Sequence, residues 1–327
     1  MTENADIRVI VAGRTDTGRA RAHNEDNLLL APHLGLFLVA DGMGGHASGK
    51  VASAAITASM RNFFEATAGE PFAASAPEDE GLSQSARRLV GAIRKANRDV
   101  HEISQQNREH RGMGSTVVAV HLEGLAVTLA HVGDSRCYRV REGTITQLTE
   151  DHSLLAEARR AKPDLTEAEA AFLPKNLITR ALGMRADVKV DMQQQQLEAG
   201  DVLVLCSDGL HGMIENDAIV AAIGLQEDLA QACDLLVELA NDAGGNDNIS
   251  VVLIGAYARK ADETVSVEAR EEIVEDVAQF EGVLPESDLE RLRKGEVVDV
   301  SAPRCPACGT LIHEGTRFCV ECGGTLV

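Results

Sequence analysis

Five short acidic segments, each beside a glycine or in a turn, lie between positions 24 and 248 of this chain. They read Asn24-Glu25-Asp26, Asp41-Gly42-Met43-Gly44-Gly45-His46, Gly133-Asp134-Ser135, Ser207-Asp208-Gly209 and Asn246-Asp247-Asn248. Asp41 follows the apolar run Leu36 to Ala40, Asp208 follows Val202 to Cys206, and Asp247 precedes a run that begins at Ile249. Carboxylates at the ends of adjacent strands can converge on one point, and a group of anions so placed holds together only with a neutralising cation. Oxygen ligands favour Mg2+ or Mn2+ over Zn2+. Gly42 lets the backbone approach a ligand closely, so its carbonyl can coordinate as well. The pattern points to a two-metal hydrolytic site in which one aspartate bridges both cations. An Asp-Gly pair alone is usually a plain turn; the weight comes from five acidic pieces occurring together.

The core has to be built without large rings. There is no Trp, with 2 Tyr and 7 Phe in 327 residues, so Ala, Val, Leu and Ile must fill it. An apolar content of 44% excludes disorder throughout. The apolar runs are strand-sized and nothing at the N terminus resembles a signal peptide, so a soluble, cytoplasmic chain is expected. A formal net charge of -20 and the scarcity of aromatics argue against binding nucleic acid or an anionic membrane.

Strands are expected over Asn27 to Ala31, Leu36 to Ala40, Ser115 to His121, Ala126 to Val132, Arg136 to Val140, Val202 to Cys206 and Ile249 to Ile254. Helical faces recur at Leu89, Ile93, Ala96, Val100 and Ile103, and at Leu229, Cys233, Leu236 and Ala240. Many strands follow one another across short turns such as Arg141-Glu142-Gly143, which favours antiparallel sheets over a βαβ relay. Ala66 to Gly81 reads as a surface loop, and His152 to Asn176 as a flap of two short helical patterns around Pro163. The Gln193 to Gln196 run fits a strand. From Lys260 to Pro303 acids outnumber bases more than twofold, which suggests an exposed tether. Within it Ile273, Val277, Phe280 and Leu284 share a helical face. Ser287 and Glu290 form a capping-box pattern ahead of Leu289 and Leu292, with Gly295 as a stop.

Six motifs in one order resemble the metal-dependent protein phosphatase 2C family, in its bacterial serine/threonine branch. They are Arg21-x-x-Asn24-Glu25-Asp26, Asp41 to His46, Gly112-Met113-Gly114-Ser115-Thr116, His131-Val132-Gly133-Asp134-Ser135-Arg136, Ser207-Asp208-Gly209-Leu210 and Asn246-Asp247-Asn248-Ile249-Ser250. The resemblance covers roughly residues 8 to 257.

The resemblance implies an α+β fold, a four-layer α-β-β-α sandwich of two antiparallel sheets flanked by helices, with two Mn2+ or Mg2+ ions at one end and a third more loosely held. It implies that Asp41 bridges two ions, that Asp208 and Asp247 hold the first, and that the Gly42 carbonyl with Glu25 and Asp26 serves the second. Asp134 would serve the third together with Asp208. Arg21 would bind the phosphate, for which a forked guanidinium is suited. His46 would act as general acid for the leaving alkoxide; its other reading is a histidine that orders a water. Asn248 would orient a water or a neighbouring ligand, while Thr116 and Ser135 read as structural. The expected activity is hydrolysis of phosphoserine and phosphothreonine by in-line attack of a water held between the ions, without a phosphoenzyme. The expected partners are phosphorylated proteins, a serine/threonine kinase and its substrates among them. A non-catalytic phosphoprotein-binding regulator and a hydrolase of small phosphate esters are the alternatives.

Seven cysteines divide unevenly. Cys137, Cys206 and Cys233 sit in apolar surroundings and read as inert core residues. Cys305-Pro-Ala-Cys308-Gly and Cys319-Val-Glu-Cys322-Gly are two CxxC knuckles whose four thiolates suit tetrahedral Zn2+. Disulfides disagree with a cytoplasmic chain, and a rubredoxin-like iron site is the other metal reading. So small a segment cannot bury a core, and the metal would supply its folding energy. Only Arg317 is basic there, which favours protein docking over nucleic acid. The expected organisation is a catalytic domain over 1–259, an acidic and partly helical linker over 260–303, and a zinc ribbon over 304–327. The linker is expected to tune activity by competing for the metal site or for Arg21.

Overall fold

The computed structural model describes residues 7–44, 48–69, 71–73, 76–174, 177–226, 228–258, 275–276, 284–300, 302, 304–305 and 312. His46, Cys308, Cys319, Cys322 and the expected helical face at Ile273, Val277 and Phe280 lie outside these residues.

The chain opens with β1 (Ile7–Asp16), β2 (Asp26–Ala31) and β3 (Leu36–Met43), followed by helices α1 (Ser48–Ala66) and α2 (Gln84–Gln106). A run of strands comes next: β4 (Gly114–Ser115), β5 (Val117–Glu123), β6 (Ala126–Val132), β7 (Arg136–Arg141) and β8 (Thr144–Gln147). The short helices α3 (Leu154–Ala161) and α4 (Glu167–Ala170) lead to β9 (Asp191–Gln196) and β10 (Val202–Cys206). The body closes with α5 (Asp208–His211), α6 (Asn216–Leu225), α7 (Leu229–Asp242) and β11 (Ile249–Ala258). Beyond it come β12 (Glu275–Asp276) and α8 (Glu286–Arg293).

One sheet has the order β12-β1-β11-β10-β7-β8 and the other β2-β3-β5-β6-β9, with β4 pairing β3. Among the described residues, every strand pairing is antiparallel except β1 with the two-residue β12. The layering follows from period-two alternation with both faces buried. In β3, Leu36, Leu38 and Ala40 pack on α1 and α2, while Phe37 and Val39 join the layer between the sheets. In β11, Ile249, Val251 and Leu253 pack with α7, while Val252, Ile254 and Ala256 face the sheet interior. The result is the α-β-β-α sandwich expected from the motifs. Cys137, Cys206 and Cys233 are buried in it, and burial pushes each thiol up. Among the described residues, no helix is long and apolar enough to cross a membrane.

The expected exposed tether over 260–303 is corrected over its described part. Leu284, Leu289, Leu292 and Val298 are buried in the same apolar cluster as α1 and α2. Arg293 Nη2 lies 3.0 Å from Asp99 Oδ2 on α2, and Asn62 on α1 donates to Glu286. Net acidity misled because Glu286, Glu290, Glu296 and Asp299 stay exposed and the buried Asp288 pairs with Arg304, while one leucine stripe finds a groove. The helix cap is Pro285 rather than Ser287, which falls inside the helix.

Candidate active site

The acidic segments meet at one end of the sandwich because strand pairing puts them there. Asp26 starts β2 and Asp41 nears the end of β3, and the two are direct partners in the antiparallel register. Gly133, Asp134 and Ser135 make the turn from β6 to β7. Asp208 begins α5 just past the end of β10, and Asp247 and Asn248 lead into β11. Since β10 pairs with both β7 and β11, these three loops emerge side by side.

Asp26, Asp41, Asp134 and Asp208 all hold their protons more tightly than ordinary carboxyls. Burial pushes Asp26 to about 8, with Asp208 and Asp247 adding repulsion against the hydrogen bonds from Ser207 and Ser250. Burial raises Asp41 well above the usual range, and Asp26, Asp208, Asp134 and Asp247 all push the same way. Asp134 rises to about 7, from burial and then Asp208. Asp208 rises from burial and then Asp247, although a hydrogen bond with Asp41 opposes the rise. Glu25 is raised by burial, against Arg21 and the N–H groups of Gly49 and Lys50 at the start of α1.

Around this cluster the backbone is tied down by neutral groups. Ser207 Oγ donates to Asp26 Oδ2 at 2.8 Å and accepts the Ser250 N–H at 3.0 Å. Asp41 N donates to Thr116 Oγ1 at 3.2 Å, and Thr116 Oγ1 also bonds Ser135 Oγ at 2.7 Å. Asn248 orients neighbouring candidate ligands and the loops beside them: its Oδ1 accepts the Glu25 N–H at 2.8 Å, its own N–H donates to Asp247 Oδ1 at 2.9 Å, and its Nδ2 donates to the carbonyls of Thr17 and His23. Gly42 is required by a close approach, since a Cβ there would lie 2.1 Å from the Gly49 carbonyl oxygen and 2.5 Å from that of Glu25. Arg21 Nη2 donates to Asp247 Oδ2 at 2.7 Å while its side chain stays half exposed.

The carboxylates are neighbours and not a closed coordination shell: among the described residues, no three His, Cys, Asp or Glu side chains are gathered as around an ion. Two atoms test whether cations fit. Asp134 Oδ1 and Asp208 Oδ1 are buried without a hydrogen-bond partner. A buried anionic oxygen left bare is costly, and a divalent cation is the ligand that satisfies it. The donor set is oxygen throughout, which suits Mn2+ or Mg2+.

The structure thus brings together Glu25, Asp26, Asp41, Gly42, Asp134, Asp208 and Asp247, with Arg21 at the rim. Cys305 is buried, outside this cluster among the residues that follow α8. Sequence reasoning missed the work of Ser207, whose hydroxyl looked like part of a motif and nothing more. It also missed His211, whose Nε2 donates to the Asp134 carbonyl oxygen at 3.1 Å. No signal in the sequence marks these contacts, because each depends on a partner more than 40 positions away.

The family model described as protein phosphatase 2C matches residues 17–253. The serine/threonine phosphatase Stp of Listeria monocytogenes is 35% identical over 245 residues, which is 74% of this chain and 93% of that protein. The solved serine/threonine phosphatase of S. agalactiae matches with a TM-score of 0.66 at 36% identity, over 77% of this chain and 100% of its own. The catalytic domain of the serine/threonine protein phosphatase PstP, solved with two manganese ions, matches with a TM-score of 0.65 at 32% identity, over 77% of this chain and 99% of its own.

Proposed function

The chain belongs to the protein phosphatase 2C family, and from that premise we propose which of its residues carry a metal-dependent serine/threonine phosphoprotein phosphatase activity. The enzyme hydrolyses phosphoserine and phosphothreonine in proteins. The observation that supports the site is the buried, mutually repelling set around Asp41, with bare oxygens on Asp134 and Asp208.

Asp41, Asp208 and Asp247 would hold the first of two Mn2+ or Mg2+ ions, and Asp41, Glu25, Asp26 and the Gly42 carbonyl the second; Asp134 with Asp208 would serve a third. When bound, such ions would cancel the carboxylate charge and polarise both the phosphate oxygens and the attacking water. The chain's own groups do the rest. Arg21, half exposed and anchored by a single bond to Asp247, presents its remaining N–H groups to the phosphate. Ser207 and Thr116 hold Asp26 and the Asp41 backbone in place. His46 is the group we assign to protonate the leaving serine or threonine oxygen, which is too basic to depart unassisted.

Cys305, Cys308, Cys319 and Cys322 are assigned to a Zn2+ site on the strength of their paired CxxC spacing. That assignment makes 304–327 a separate ribbon following the catalytic domain (1–259) and the linker (260–303). A serine/threonine kinase and its substrates are the proposed partners, in the cytoplasm, without nucleic acid or membrane.

The deciding experiment is release of phosphate from a phosphothreonine peptide with and without Mn2+, using the parent chain, Asp41→Asn, Asp208→Asn and a chelator control. Turnover that requires Mn2+ and disappears in both variants supports the reading. Turnover that persists in Asp41→Asn with the chelator present overturns it.

A further inference from the structure

Beside the carboxylate cluster, one buried side chain is committed at both ring nitrogens to the loops around it. His152 lies just before α3 and is 3% exposed. Its Nδ1 accepts the Gly133 N–H at 3.0 Å, and its own backbone N–H donates to the Gly133 carbonyl oxygen at 3.0 Å. A ring nitrogen that accepts carries no proton, so in the neutral imidazole the proton sits on Nε2. Nε2 lies 3.3 Å from Asp191 Oδ2, which accepts it. Burial, then His131 and Arg180 nearby, holds the ring near 4, so it is neutral at working pH.

Asp191 is well placed to hold that proton still. It opens β9 directly opposite His131 in the β6–β9 register, and the His131 ring stacks on His152 with centroids 4.7 Å apart. Arg180 Nη1 donates to Asp191 Oδ1 at 2.8 Å. The same Nη1 sits 2.9 Å from His152 Nε2; with a proton already on Nε2, that approach is a contact imposed by Asp191 and not a bond.

On the other side of the ring is the turn that carries Asp134. Gly133 has φ +112°, and a Cβ there would lie 2.5 Å from the Thr116 Cβ. Thr116 is the residue whose hydroxyl holds the Asp41 N–H and Ser135. The stems of the following excursion also close on His152: Thr179 N–H donates to its carbonyl oxygen at 2.8 Å, and Leu154 N–H to that of Leu177 at 2.9 Å. One imidazole therefore joins the Asp134 turn, the excursion stems and the first residue of β9.

We propose that His152 and Asp191 are positioning residues for the phosphatase reaction: Asp191 fixes the tautomer of His152, and His152, through the Gly133 N–H, fixes the turn that aims Asp134 into the cluster. The kinetic consequence rests on the phosphatase reading above, whereas the geometric one does not. An arrangement of this kind matters because a displacement of about 1 Å at a reacting group can cost up to roughly 100-fold in rate.

The test uses the full chain with Asp191→Ala and Asp191→Asn. Asp191 is one-third exposed, so neither change opens a core cavity. The asparagine keeps an oxygen to accept the Nε2 proton but loses the charge that pairs with Arg180. Two readouts are taken: hydrogen exchange at the Gly133 amide in metal-free protein, and Mn2+-dependent hydrolysis of a phosphothreonine peptide. In Asp191→Ala, Gly133 exchange is expected to rise about tenfold and kcat to fall about tenfold, with KM changing less than about twofold. Asp191→Asn is expected to stay within about twofold of the parent in both readouts, since an amide oxygen still accepts the proton. The proposal is overturned if Gly133 exchange in Asp191→Ala matches the parent, or if Asn and Ala act alike, as they would were the Arg180 ion pair all that counts. A parent chain without Mn2+-dependent turnover overturns the phosphatase reading alone, and the Gly133 exchange still decides the role of His152.

Discussion

Asp26 and Asp41 stand directly opposite each other in the antiparallel register of β2 and β3. Like charges so paired destabilise a sheet, and here Asp26 is also buried and Asp41 half-buried. The fold keeps them through the Ser207 hydroxyl on Asp26, the Thr116 hydroxyl on the Asp41 N–H, and protons retained well above the usual carboxylate range. On the metal reading proposed above, stability has been given up locally for a place that would hold cations.

The first prediction follows from that repulsion. Asp41→Asn should stabilise the metal-free protein by about 1–2 kcal/mol, because it replaces a carboxyl that must either repel its neighbours or hold a proton with a neutral group of the same shape. The same change should lower phosphopeptide turnover by at least about 100-fold. Thermal melts in chelator beside a phosphate-release assay check both, and a variant less stable than its parent would count against the repulsion account.

A second prediction concerns pH. Asp26 and Asp134 bind protons more tightly folded than unfolded, near 8 and 7 in the folded state. Their contribution is therefore full at low pH and is lost as pH rises through those values. The buried His121 and His152 and the half-buried His211 run the other way, each held near 4 by desolvation, so their contribution grows as pH climbs from 4 to 6.5. Metal-free protein should lose on the order of 2 kcal/mol of stability between pH 6.5 and pH 8. Saturating Mn2+ should remove that loss, because a bound cation replaces the protons. Denaturant midpoints at pH 5, 6.5 and 8, with and without Mn2+, measure it.

A third prediction isolates Ser207. Ser207→Ala strips a donor from Asp26 and an acceptor from the Ser250 N–H, at a cost of about 1–3 kcal/mol. It should also raise the Mn2+ concentration needed for half-maximal activity, since Asp26 then gives up its proton less readily. Calorimetric Mn2+ titration of the variant against the parent distinguishes this from a loss of folding alone.

The fourth prediction is about the docked C-terminal helix. Leu289 is fully buried between α8 and the α1–α2 pair. Leu289→Ala should destabilise the whole protein by about 2–5 kcal/mol. A swap of Arg293→Glu with Asp99→Arg should recover part of what either change loses alone. Turnover at a temperature where the variants stay folded should match the parent. If Leu289→Ala instead leaves the melting midpoint unmoved, α8 is not part of the folded body. The docking also places residues 286–293 along the outer side of α1 and α2, which leaves competition for the metal site to segments other than α8.

Much of this protein could be read in one dimension, and the reason is that its signals are local. Alternation along β3 and β11 follows from side-chain geometry within each strand, and the stripe at Leu89, Ile93, Ala96, Val100 and Ile103 follows from helical period. The Asp41-Gly42 and Ser207-Asp208-Gly209 pieces likewise carry their chemistry within a few residues, which is why the family and the candidate ligands were legible before any coordinates. What the chain alone could not state were relations across space. That Asp26 faces Asp41, that Asn248 ties Glu25 to the loops at Thr17 and His23, that His152 takes its tautomer from Asp191, and that an acidic tail buries its leucines on α1 and α2 all depend on strand register and packing. Those relations are decided by which distant surfaces bury the most apolar area while leaving no polar group unpaired, a condition that only the folded whole can satisfy.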